Sequence, residues 1–230
     1  YCSASASHAI KGWPIRIATT TRRAISGQSN GRPSPRGHTL CAAPTPGLAR
    51  GEALFDTCVP CHGADGAGNQ TLAAPSIAGL PRWYVQAQLE KFQVGHRGGT
   101  AFDTTGIRMK SMSRTLDLEG DLGSVAEYVA SLVPTAPAST LEGGDAQAGQ
   151  ATYQVCAACH GPDGKGNEAV HAPPLAGQSD WYLVSQLHKF KAGWRGANPV
   201  DTWGATMRSN ALMLDDAAMA NVVAYIRTLQ

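Results

Sequence analysis

Cys58-Val59-Pro60-Cys61-His62-Gly63 returns as Cys156-Ala157-Ala158-Cys159-His160-Gly161, 98 positions further along a chain of 230 residues. The match does not stop at the cysteines. From Cys58 to Met109 and from Cys156 to Met207 the chain aligns with itself without a gap, and 25 of those 52 positions are identical. The shared strings include CxxCHG, DG.GN, AP..AG, WY...QL.KF and DT.G..M. Identity of this density at one constant offset means a duplicated unit. The flanks extend it: Gly51 and Phe55 match Gly149 and Tyr153, and Tyr128 matches Tyr225 after a one-residue slip. Two domains are therefore expected, at 47–133 and 145–230. The linker between them, 134–144, opens on a Pro- and Ser-containing run that cannot continue a helix.

Each unit reads as a small all-α domain with long wrapping loops. A first helix is expected to run into the cysteine motif and a second to cover Trp83–Val94 or Trp181–Ala192. A last helix is expected near Leu122–Leu132 or Asp216–Leu229. In that last helix Val125, Tyr128, Val129 and Leu132, and Val222, Tyr225, Ile226 and Leu229, fall at i, i+3, i+4, i+7. The Gly- and Pro-rich stretches between the helices bear no strand signal.

The C-x-x-C-H motif is the pattern of covalent c-type haem attachment. Cysteines three apart occupy neighbouring positions on one helical turn, so both thiols can reach the two vinyl groups of one porphyrin. The next residue then offers an imidazole to the iron. A thioredoxin-like redox pair would need a βαβ setting, and a structural zinc site a fourth ligand close by, neither of which the pattern supplies. Two haems also answer the composition. With 4 Phe, 5 Trp and 6 Tyr against 26 Gly and 14 Pro, the chain is poor in material for a core, and a flat apolar macrocycle would fill one. Without its haems the protein is expected to fold poorly.

The second axial ligand must come from Met109, Met112, Met207, Met213 or Met219. His and Met together belong to electron-carrying haem proteins, whereas an open or bis-His site suits other chemistry. The repeat chooses Met109 and Met207, which share the 98-residue offset, while Met112 faces Asn210. Met112 and Met213 stand as fallbacks, and Met219 reads as a flexible core filler. His8, His38, His96, His171 and His188 have no histidine counterpart in the other half and read as surface or packing residues.

Charge and hydropathy narrow the function further. The first 50 residues hold seven basic side chains and no acid, leaving residues 51–230 at a net −5. The basic segment lacks the aromatics and periodicity of a nucleic-acid surface, so no nucleic-acid partner is expected. No run of about 18 apolar residues is present, so no transmembrane segment is expected. Residues 1–46 read as a disordered or targeting extension, without the apolar centre of a secretory signal. Cys2 and Cys41 within it read as incidental.

On these motifs the chain resembles the class I cytochromes c, and over 47–230 its tandem arrangement is similar to the two-haem cytochrome c4 family. The resemblance implies thioether links at Cys58, Cys61, Cys156 and Cys159, proximal His62 and His160, and distal Met109 and Met207. It implies that the carbonyls of Pro75 and Pro173 accept a hydrogen bond from the proximal imidazoles, and that Gly51 with Tyr128, and Gly149 with Tyr225, mark a close helix crossing. Arg97, Arg195, Trp83 and Trp181, with Tyr84, Gln88, Tyr182 and Gln186, are candidates for haem propionate contacts or for ordinary packing. The implied function is single-electron transfer between redox partner proteins, a membrane oxidase or dehydrogenase among them, in the periplasm or an equivalent compartment. The alternatives are an electron-accepting subunit of a larger dehydrogenase or oxidase, and a haem enzyme such as a peroxidase or thiosulfate-oxidising enzyme.

Overall fold

Helices alternate with long connections through the computed structural model, which describes residues 47–229. The extension 1–46, with Cys2, Cys41, His8 and His38, lies outside the described residues. The first domain has α1 (Leu48–Phe55), α2 (Val59–His62), α3 (Arg82–Gln93), α4 (Thr104–Ser113) and α5 (Asp121–Ser131). The second has α6 (Ala146–His160), α7 (Asp180–Lys191), α8 (Thr202–Leu212) and α9 (Asp216–Ile226), with short 3-10 turns at Glu168–Val170 and Arg227–Leu229. No strand occurs among the described residues, only the isolated bridges Asn69–Ala74 and Asn167–Ala172.

The first and last helices of each domain cross at a glycine. A Cβ on Gly51 would lie 2.0 Å from the carbonyl oxygen of Ser124, and one on Gly149 1.9 Å from that of Asn221. Only a residue without a side chain lets α1 meet α5, and α6 meet α9, at this distance. Beside each crossing an aromatic pair packs at a tilt, Phe55 with Tyr128 at 5.2 Å and Tyr153 with Tyr225 at 5.3 Å. The cores are small. Phe55, Leu116, Leu122, Val125 and Val129 form one buried cluster, and Tyr153, Leu183, Val222, Val223 and Ile226 the other.

Local chemistry explains where the halves differ. In the second domain the first helix does run into the cysteine motif, as α6. In the first domain it breaks between Phe55 and Val59. Pro60 stands there where the second half has Ala158, and a proline supplies no N–H and crowds the carbonyl four residues back. The stretches bearing Met109 and Met207, expected as loops, are helices α4 and α8. Neither has a clear apolar period. Each is started by an N-cap aspartate, with Asp103 accepting from the Gly106 amide at 2.9 Å and Asp201 from the Gly204 amide at 3.0 Å.

The linker has no regular structure, yet it is fastened. Fully buried Asp180 accepts from the Thr140 amide at 2.8 Å, the Thr140 hydroxyl at 2.7 Å and the Leu141 amide at 3.0 Å, and pairs with Arg227 at 3.1 Å. Burial alone would raise its pKa, but the amides of Leu141, Thr140 and Trp181 and the Thr140 hydroxyl hold it down to about 2. The equivalent position in the first domain is Arg82, so the pattern of the repeat gives no hint of this anchor.

Two predictions follow from this packing. Gly149→Ala should cost the haem-loaded protein about 2–3 kcal/mol in denaturant unfolding, through overpacking at the α6–α9 crossing. Asp180 titrates lower when folded than when unfolded, so its stabilisation is present above about pH 4 and is lost as the pH falls toward about 2. Asp180→Asn should therefore be less stable than the natural protein at neutral pH, and the gap should close across that window in urea midpoints.

Candidate haem sites

The two C-x-x-C-H motifs end in nearly identical local structure. His62 and His160 are buried at the ends of α2 and α6, and the ring Nδ1 of each meets a proline carbonyl, Pro75 at 2.9 Å and Pro173 at 2.8 Å. A carbonyl can only accept, so Nδ1 carries the proton and Nε2 keeps its lone pair for a metal. Burial lowers the pKa of both imidazoles, opposed in part by these same carbonyls, and so favours the neutral ring, the form able to bind a metal. Cys58, Cys61, Cys156 and Cys159 form no disulfide. Cys58 and Cys156 are partly buried and their pKa values are raised by that burial, while Cys61 and Cys159 are exposed.

Met109 and Met207 occupy equivalent, half-buried positions on α4 and α8. The other methionines sit differently. Met112 and Met213 are 41% and 84% exposed, and Met219 is fully buried in the second core.

Arg97, Arg195, Gln88 and Gln186 meet at the seam between the domains. Arg97 donates to Gln88 at 2.9 Å and across the seam to Gln186 at 3.3 Å, and Arg195 donates to Gln186 at 2.7 Å and across to Gln88 at 3.2 Å. Their guanidinium groups lie 4.2 Å and 4.3 Å over the rings of Phe92 and Phe190. Tyr84 and Tyr182 adjoin the same cluster. Trp83 and Trp181 stand edge-on to these tyrosines, and Trp83 also reaches across to His171, which stacks on Trp203. Two ion pairs complete the seam, Lys91 with Asp201 and Lys189 with Asp103, each at 2.7 Å. Every one of these polar contacts has its mirror at the 98-residue offset, as expected of a two-fold arrangement of like units.

The cytochrome c family model matches the chain twice, at residues 48–133 and 146–230. The chain belongs to the cytochrome c family. It is 30% identical to cytochrome c4 of Azotobacter vinelandii over 79% of its own length and 88% of that protein's. It is also 30% identical to a thiosulfate dehydrogenase electron acceptor of Thiomonas intermedia, over 74% and 77% respectively. The crystal structure of reduced cytochrome c4 from Pseudomonas stutzeri superposes with a TM-score of 0.66 at 26% identity, covering 81% of this chain and all of that one. As a tandem cytochrome c4-like protein it carries two covalent haem c groups.

The residues present fit that cofactor. In each cytochrome c domain the cysteines form no disulfide, and the proton on Nδ1 leaves Nε2 of the imidazole as a lone-pair donor. Ile77, Val85 and Leu89, and Leu175, Val184 and Leu187, are apolar yet only partly buried against the cores. At the seam two buried guanidinium groups share the glutamine oxygens and the company of the Tyr84 and Tyr182 hydroxyls, and the buried Nε of Arg97 has no hydrogen-bond partner among the described residues. Asp103 and Asp201 act on these cations from a distance but pair with the lysines, and a carboxylate-bearing group at this place would give each guanidinium an anion of its own.

The seam ion pairs were invisible as such in the sequence, although Lys91 and Lys189, and Asp103 and Asp201, all belong to the repeated strings. Gln88→Leu should remove one of the two acceptors that both arginines share. It should lower holoprotein stability by about 1–3 kcal/mol in chemical denaturation, with the haem content unchanged.

Proposed function

We propose that this tandem cytochrome c relays single electrons between partner redox proteins through two similarly ligated haems. In this reading Cys58 and Cys61, and Cys156 and Cys159, form the thioether links. His62 and His160 are the proximal ligands, and Met109 and Met207 the distal ones. Bound haem supplies a one-electron iron couple, whose potential His/Met ligation raises. The chain's own part is to hold both axial ligands unchanged through each cycle and to exclude water from the iron.

The observation that carries the reading is the twice-repeated imidazole bonded through Nδ1 to a proline carbonyl, with a half-buried methionine recurring at one position in both halves. A haem enzyme would need a vacant, His or Cys distal position. The repeat offers a thioether at both, and the exposure of Met112 and Met213 favours Met109 and Met207. Arg97 and Arg195 supply the positive charge for haem propionates, with Trp83 and Trp181 as further contacts, edge-on to the tyrosines of the same cluster.

The likeness to an electron acceptor of thiosulfate dehydrogenase supports a place downstream of a dehydrogenase. The domains differ in formal charge, −3 over 51–133 and 0 over 146–230, which would orient docking on partners at low salt. No helix among the described residues is long and apolar enough to cross a membrane. The attachment motif supports haem loading, and hence work, in the periplasm or an equivalent compartment.

The ferric protein should contain two haems by pyridine haemochrome, with a near-infrared Met-to-iron band that accounts for both irons. Met109→His and Met207→His should each remove half of that band. A band left whole in either variant would reject that methionine as ligand, and one haem without the band in the natural protein would favour the enzyme reading.

A further inference from the structure

The ion pairs at the seam are not ordinary surface pairs. The side chains of Asp103 and Lys189 are 2% and 14% exposed, and those of Asp201 and Lys91 are 5% and 24%. Lys165 with Asp163, for comparison, is 80% and 53% exposed. In both seam pairs the carboxylate belongs to one domain and the ammonium to the other. Lys189 also touches the Thr105 hydroxyl.

Both aspartates are helix caps. Asp103 starts α4 and Asp201 starts α8, and the residue six positions on is Met109 or Met207. The start of each helix is built tightly. A Cβ on Gly106 would lie 2.1 Å from the Asp103 carboxylate, and one on Gly98 2.2 Å from the Gly106 carbonyl oxygen. The second domain repeats this with Gly204 at 2.2 Å from Asp201 and Gly196 at 2.1 Å from Gly204. Burial works against ionised Asp103 and Asp201, but the lysine of the other domain and the cap amide keep their pKa values below the ordinary range. Take the lysine away and a buried carboxylate keeps only neutral hydrogen-bond partners, with the guanidinium of Arg97 or Arg195 acting on it from further off. It must then gain a proton or leave the cap, and either weakens the helix start.

We infer that each domain holds the other's distal-methionine helix in place, Lys189 acting on α4 and Met109, and Lys91 on α8 and Met207. Both lysines are positioning residues, acting through the aspartate caps without touching haem. The inference rests on the reading of Met109 and Met207 as iron ligands, and it makes each iron's distal bond depend on the neighbouring domain.

The test is imidazole titration of the ferric holoprotein, because added imidazole competes with the methionine for iron. The ferrous methionine-methyl proton resonances identify the two sites, assigned by their loss in Met109→Ala and Met207→Ala. In Lys189→Met, imidazole affinity should rise about tenfold at the first-domain iron and change less than about twofold at the second, and Lys91→Met should show the reverse. Asp103→Asn should reproduce the effect of Lys189→Met from the other side of the pair, and Lys189→Arg should restore natural behaviour. Unchanged affinity at both irons, or a change confined to the domain that bears the substituted lysine, would overturn the inference alone. Absence of both methyl resonances from the natural protein would instead overturn the ligand reading and this inference with it.

Discussion

Without a prosthetic group, each domain has a cluster of five buried apolar side chains to close around. That is too little for a unit of about 85 residues, since small domains are marginal even with full cores. The helices are short, from 4 to 15 residues, and helices of that length are weak on their own in water. In the proposed reading, what organises the rest is the attachment of an apolar ring through two thiols and one imidazole. Ile77, Val85 and Leu89, half-buried beside the first core, are the kind of side chain such a ring would cover. The proline carbonyls matter because they fix the tautomer and the direction of each imidazole.

The seam between the domains concentrates charge where a protein interior usually avoids it. Two buried arginines, two partly buried lysines and two buried aspartates face one another, and the lysine–aspartate pairs cross from domain to domain. Pairs of this kind are weak sources of net stability but strong sources of specificity, because a mismatched neighbour leaves a charge unpaired. The reciprocal pattern therefore defines how the duplicated units meet. Asp180 does the same for the linker: it gathers the backbone of Thr140 and Leu141 at the start of α7, so a segment without regular structure still has a defined path over the second domain.

Family and cofactor were legible in the linear sequence, and with them a set of candidate ligands, because covalent haem attachment demands fixed residue types at fixed local spacing. Cys58, Cys61 and His62 lie within one helical turn, and the repeat doubled the signal and separated Met109 and Met207 from the other methionines. The terminal helices were legible from their 3.6-residue period. Helices α4 and α8 were not, since their starts depend on an aspartate cap closed over a glycine and carry little hydrophobic pattern. The break before α2 could have been read from Pro60.

The partners of Arg97, Arg195, Lys91 and Lys189 could not be read in the same way. Their identity at both offsets showed that they matter, but not what they touch, because each contact joins residues some 86 to 110 positions apart. Local chemistry is written in spacing along the chain. Which charges face each other across a two-fold seam depends on how two finished domains pack, and only folding brings those residues together.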